Sequence, residues 1–244
     1  MEKYDLKKLE EKVLKKDKEA MYELGKIYLN GTNGVNKNIN KALELFKQGA
    51  SLSNYDCIYE YAMLHLNQDT NIFNLEQGIR LLEKIYEQHI DASFQLGKIY
   101  FYGFGKNKDL MQAEKFFRIA ANGDNKEAAY LCGVIWENEF LHLKKIDEAF
   151  HFYQKAAKLG HLESIYKCGY YYYYGIEELL NIDIDISINF LKIAANLNHK
   201  ESLKLLAKIY IELSLDLLSK NIDDESSNIV LEQIKKLDYE LLVK

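Results

Sequence analysis

The sequence predicts an all-α chain of about five to six stacked two-helix repeats, a solenoid with a capping helix at each end. Three observations lead there. A five-residue anchor recurs along most of the chain: Leu24-Gly25-Lys26-Ile27-Tyr28, Tyr61-Ala62-Met63-Leu64-His65, Leu96-Gly97-Lys98-Ile99-Tyr100, Cys132-Gly133-Val134-Ile135-Trp136, Cys168-Gly169-Tyr170-Tyr171-Tyr172 and Leu206-Ala207-Lys208-Ile209-Tyr210. Successive anchors start 37, 35, 36, 36 and 38 residues apart, and self-similarity at a fixed period of this size is the mark of a repeat architecture. Behind the first five anchors comes a second segment with a small or apolar pair, Gly49-Ala50, Ile85-Tyr86, Ala120-Ala121, Ala156-Ala157 and Ala194-Ala195. The chain also has no proline, so no residue lacks the N–H that a helix interior needs.

Taken in order, residues 1–17 form an N-terminal cap. Asp5, Leu6, Leu9 and Val13 make a short amphipathic helix among lysines and glutamates, suited to shielding the open end of a stack. Residues 18–219 are the repeats, the sixth showing only its first helix. Residues 220–244 are a polar, acidic linker followed by a second amphipathic helix. Its Val230, Ile234, Leu237 and Leu241 share one face, fit either to cap the last repeat or to dock on a partner.

The third repeat spells out the unit. Ala92, Leu96, Ile99 and Tyr100 fall on one helical stripe. Gly103-Phe104-Gly105 then breaks the helix. A second stripe of Ala113, Phe116, Phe117, Ala120 and Ala121 ends near Gly123, the expected C-terminal cap. Neither stripe can be buried by one helix alone, and stacking buries both. The second anchor position is Gly25, Ala62, Gly97, Gly133, Gly169 or Ala207. Mid-helix glycine costs about 1 kcal/mol relative to alanine, so close approach of the paired helix is the expected compensation.

These residues resemble the Sel-1-like repeat family, whose pattern runs roughly A-x-x-x-L-G-x-x-Y-x-x-G-x-G-V and then K-A-x-x-W/F-Y/F-x-x-A-A-x-x-G. Ala20, Leu24, Gly25, Tyr28, Gly31, Gly34, Val35, Lys41 and Ala42 match it, as do Ala92, Leu96, Gly97, Tyr100, Gly103, Gly105, Ala113, Phe116, Phe117, Ala120, Ala121 and Gly123. The related tetratricopeptide repeat has a period of about 34 residues, shorter than every step here. Repeat two departs from the pattern at Gln68 and Gly78, repeat four at Glu139 and Phe140, and repeat five has a longer loop through Ile182-Asp183-Ile184-Asp185. The resemblance implies a right-handed solenoid used for protein–protein interaction or as an adaptor, usually without catalysis.

Chemical motifs are missing. The histidines His65, His89, His142, His151, His161 and His199 include no H-E-x-x-H pair, and Cys57, Cys132 and Cys168 no C-x-x-C. There is no nucleophile elbow, Walker loop or dinucleotide fingerprint. No catalytic residue, metal site or cofactor is expected. A net charge of −5 is the wrong sign for a general nucleic-acid binder. No run approaches the length of a membrane span, and the charged N-terminus has no secretory h-region. Cys132 and Cys168 occupy the core position that is leucine in other repeats. Buried thiols of that kind fit a reducing compartment, and a cytoplasmic location is expected.

Surface columns carry the functional expectation. By analogy with related repeats, first helices line the concave face. Two residues before each anchor stand Tyr22, Tyr59, Phe94, Tyr130, Tyr166 and Lys204. Five before stand Glu19, Asp56, Asp91, Glu127, Glu163 and Glu201, at helix N-termini where carboxylates cap exposed N–H groups and suit the dipole. Structural and binding readings of both columns stand side by side. The run Tyr170 to Tyr174 cannot be buried whole, because consecutive helical residues face all directions. Tyr172 matches the core tyrosine. Tyr170, Tyr173 and Tyr174, with Phe94, Phe101, Tyr102 and Tyr130, are the expected apolar anchors of a concave protein-binding face, and Glu127 and Glu163 would favour a basic partner. The expected function is an adaptor binding a peptide or partner protein. The alternative is a cytosolic inhibitor or immunity protein clamping a toxin or effector, with a hydrolase-type enzyme ranked third. The sequence is silent on oligomeric state.

Overall fold

The computed structural model describes residues 3–138, 145–176, 179–219 and Glu232. The loop positions Glu139 and Phe140 and the C-terminal amphipathic stretch fall outside the described residues. Every regular element described is an α-helix, and the chain divides into two compact units, Met1–Gly123 and Asp124–Lys244.

The first unit holds α1 (Lys3–Leu14), α2 (Lys18–Asn30), α3 (Ile39–Ser51), α4 (Tyr55–Leu66), α5 (Leu75–Ile85), α6 (Ile90–Tyr102) and α7 (Leu110–Asn122). Helix α1 lies on α2, with Leu9 buried beside Leu24 and Leu6 and Val13 packed around it. The helices then pair as α2 with α3, α4 with α5 and α6 with α7. The second unit holds α8 (Lys126–Asn138), α9 (Ile146–Lys158), α10 (Leu162–Tyr174), α11 (Ile184–Asn196) and α12 (Lys200–Ser219). Here α8 pairs with α9 and α10 with α11, while α12 packs on α11.

The glycines do bring the paired helices together. A Cβ on Gly25 would overlap the Phe46 ring, and one on Gly97 the Phe117 ring. On Gly133 it would lie 2.6 Å from Tyr153, and on Gly169 2.8 Å from Leu191. In each case the ring or branched side chain stands three residues before the small pair of the second helix. Repeat two reverses the arrangement. Its anchor carries Ala62, and the glycine has moved to the second helix, where a Cβ on Gly78 would come within 2.7 Å of Leu66. Close approach is therefore kept although the motif there has degenerated.

Most helix starts follow one rule, Lys145 before α9 being an exception without a side-chain cap. Asp17, Asn38, Asn54, Asn74, Asp109 and Asp183 each accept the N–H three residues on, satisfying a donor that the first turn leaves open. His89 and His161 do the same with an imidazole. The column carboxylates therefore sit in the first turn, as the sequence predicts, but the side-chain caps come from the residues just before the helix. Gly123 is the C-cap of α7, as expected, its N–H donating to the Ala120 carbonyl. Its φ is −89°, and the left-handed residue is Asp124 (φ 62°). Gly123 is small because a Cβ there would run into Ile90.

Candidate protein-interaction face

The predicted face residues separate into two groups. In the first unit, Phe94 and Phe101 lean on Phe117, with ring centroids 5.9 and 6.0 Å away. They are half-buried and form the upper layer of the core. Tyr102, edge-on to Phe101, is 67% exposed.

In the second unit the tyrosine run distributes around α10 as helical geometry requires. The buried member is Tyr171, at 6% exposure, which occupies the position of Ile27, Ile99 and Ile135. The expectation that Tyr172 is the core tyrosine is corrected accordingly. Tyr172 is half-buried and stacks on Phe190, as Tyr100 stacks on Phe116. Tyr170, Tyr173 and Tyr174 do gather together. Tyr174 lies 4.5 Å from Tyr170 and 4.6 Å from Tyr173 between ring centroids, and it is 48% exposed. Helix α12 completes the cluster with two residues that sequence reasoning did not single out. Lys208 Nζ sits 5.1 and 5.2 Å above the rings of Tyr173 and Tyr174 and donates to the Tyr174 hydroxyl at 3.1 Å. The Tyr173 hydroxyl donates to Glu212. One turn of helix separates Lys208 from Glu212, and that spacing was the available signal. Burial, reinforced by the Glu212 contact, holds the Tyr173 hydroxyl above its ordinary pKa, so it remains a donor.

Glu127, Glu163 and Tyr130 occupy a different setting. Tyr130 stacks on His161 at 4.4 Å. His161 Nε2 faces Glu127 at 3.2 Å, and His199 Nε2 faces Glu163 at 3.0 Å. These acids are bound to the histidine of the following repeat rather than gathered with the tyrosine cluster.

A second polar cluster also escaped the sequence reading. Glu137 accepts from the Tyr153 hydroxyl at 2.6 Å, the Tyr171 hydroxyl at 2.7 Å and Lys167 Nζ at 2.9 Å. Burial alone would raise its pKa, but the three donors outweigh burial and hold it below the usual carboxylate range. Both tyrosines are pushed upward, by burial first and then by the carboxylate they serve. Every charge in the cluster is answered internally, which is the condition of a structural network.

Among the described residues, no set of three or more His, Cys, Asp and Glu side chains could hold a metal ion, and no helix is long and apolar enough to cross a membrane. The three cysteines are buried and form no disulfide. Burial pushes the thiols of Cys57 and Cys168 up to about 12, far from the thiolate form that reacts.

Comparison with known proteins agrees with this architecture. The Sel1 repeat model matches residues 18–54, 56–89, 90–125, 126–161 and 162–199. A Sel1 repeat protein from Oxalobacter formigenes superposes with a TM-score of 0.67 at 20% identity, over 90% of this chain and 88% of that one. The protective antigen c5321 of uropathogenic Escherichia coli, which displays the same fold, gives 0.73 at 21% identity over 95% of this chain, and this chain spans about half (48%) of the antigen. The immunity protein Pa5087 of Pseudomonas aeruginosa aligns at a TM-score of 0.46 and 17% identity, over 78% of this chain and 72% of that one, too loosely to carry an argument. Proteins built from Sel1 repeats generally mediate protein–protein interaction and are typically not enzymes. With five consecutive repeats matched over most of its length, the chain belongs to the Sel1 repeat family, an all-α solenoid.

Proposed function

We propose that this protein is an adaptor that binds a peptide or loop of another protein on the α10–α12 surface. The observation that carries the reading is the cluster of Tyr170, Tyr173 and Tyr174 with Lys208 and Glu212. Tyrosine offers large contact area with few rotors to freeze, and hot spots are typically aromatic centres ringed by polar groups. Helix α12 adds apolar surface with Ile211, 48% exposed, and Leu215, 60% exposed. Glu127 and Glu163 keep 51% and 39% of their side chains exposed opposite histidines, and their negative charge favours a basic partner. The buried cysteines are in keeping with a reducing compartment, and we place the protein in the cytoplasm.

The test is an affinity capture from native lysate with wild type beside the Tyr173→Ala/Tyr174→Ala variant, circular dichroism verifying that both are folded. A specific partner retained by wild type and weakened about 30-fold or more in the variant, the loss expected for a hot-spot pair, supports the reading. Equal retention by both proteins removes the tyrosine cluster from the interface. A target found only among proteins of a competing organism would move the reading from adaptor to inhibitor.

A further inference from the structure

Three of the turns between repeats contain the same device. His89 precedes α6, His161 precedes α10 and His199 precedes α12. Each Nδ1 takes the backbone N–H three residues on, from Ala92, Ser164 and Ser202, at 3.2 Å in every case. Each ring lies against the column tyrosine of the preceding first helix, Tyr59, Tyr130 or Tyr166, at centroid distances of 4.5, 4.4 and 4.8 Å. Each Nε2 reaches the column carboxylate of that same helix, Asp56 at 3.4 Å, Glu127 at 3.2 Å and Glu163 at 3.0 Å. One imidazole thus caps one helix and clasps it to its predecessor. Two other junctions use asparagine at this position. Asn54 and Asn125 give the same cap through Oδ1, at 2.8 and 2.9 Å, and do not titrate.

The bonding fixes the tautomer. Because Nδ1 must accept a backbone N–H, the proton of the neutral ring is on Nε2, where it is donated to the carboxylate. A second proton has to go to Nδ1, the atom aimed at the N–H groups of a helix N-terminus. It removes the cap and sets a positive charge against the positive end of the helix dipole.

We propose that these histidine clasps are acid-sensitive fasteners between consecutive first helices, closed with the rings neutral and released when Nδ1 is protonated. Carboxylates and a tyrosine surround each ring. His89 faces Asp56 and Tyr59, with Asp91 in the first turn of its own helix. His161 faces Glu127, Glu163, Tyr130 and the opposing positive charge of Lys126. His199 faces Glu163, Glu201 at 4.0 Å and Tyr166. The Ser164 and Ser202 hydroxyls also hydrogen-bond to Nδ1 of His161 and His199, at 3.0 and 2.9 Å, donating to the neutral ring. The imidazoles are only 12%, 12% and 9% exposed, whereas the facing carboxylates Asp56, Glu127 and Glu163 are 57%, 51% and 39% exposed. At His161 burial is the largest influence and holds the imidazole below its ordinary pKa in spite of Glu127. A base whose folded pKa lies below its unfolded value stabilises the fold above about pH 6.5, and that contribution is lost as pH falls from there through the folded value.

The device is tested without knowledge of any partner. The urea midpoint of the full chain is followed from pH 7.5 to 5.2 for wild type and for the His89→Asn/His161→Asn/His199→Asn variant, with the single His161→Asn variant as a milder second. Asparagine is what the chain itself uses at residues 54 and 125. The wild-type unfolding constant is expected to rise more steeply than the variant's, by about tenfold for each unit by which the His161 pKa is lowered. Imidazole carbon shifts of labelled wild type give a reading independent of any variant, with His161 expected to titrate below about 6.5. Parallel stability profiles, or a His161 titration at or above the ordinary value, overturn the proposal.

Discussion

Repeats three and four solve one packing problem in two ways. Gly97 lies under the ring of Phe117, and Phe101, five residues after the anchor begins, leans edge-on against that ring. In repeat four, Gly133 lies under Tyr153, and Glu137 stands where repeat three has Phe101. A phenyl ring asks only for contact, so an apolar neighbour suffices. A buried phenol also needs a partner for its hydroxyl, and Glu137 supplies it at 2.6 Å. The carboxylate then needs answers of its own, which come from Lys167 and Tyr171 on α10. One hydroxyl in place of a hydrogen therefore recruits a four-residue network, and the two exchanges make sense only together.

The comparison can be broken at several points. Replacing Glu137 by alanine strands a lysine and two phenols that are largely shielded from water, and the second unit is expected to lose about 3 kcal/mol, read as a lower urea midpoint. Gly97→Leu forces a side chain into the Phe117 ring and is expected to cost about 1–3 kcal/mol by overpacking, and an unshifted melting temperature would show that helix proximity is not why glycine is there. Tyr153→Phe removes one donor from Glu137, costing about 1 kcal/mol at neutral pH. The same variant sharpens the electrostatic side. Glu137 has a folded pKa below its unfolded value, so its contribution is present above about pH 4.3 and is lost as pH falls through the folded pKa. Without the Tyr153 donor that pKa rises, and acid unfolding should begin at higher pH than in wild type. If Glu137→Phe combined with Tyr153→Phe is no better than the sum of the single changes, repeat four is not interchangeable with the apolar arrangement of repeat three.

Much of this was legible in the chain. The anchor period located the first helices, and the stripe Ala113, Phe116, Phe117, Ala120 and Ala121 is wholly buried as periodicity predicts. Cys132 and Cys168, placed in the core by alignment with leucines, have no exposed surface. The tyrosine run was half-read. The inward member is Tyr171, because the anchor position three residues on points more directly into the core than the fourth. The acidic column was half-read too. Its residues lie in first turns, yet the partners of Asp56, Glu127 and Glu163 are histidines 33, 34 and 36 residues later.

Sequence alone determined the helices and their pairing, because each depends on residues close together: a 3.6-residue stripe, and a glycine facing a side chain one helix on. Tertiary structure decided which polar groups meet. Glu137 with Lys167, Tyr173 with Glu212, and each clasping histidine with its carboxylate join residues about one repeat apart. Their contact depends on how closely successive first helices pack, and nothing local in the chain encodes that distance.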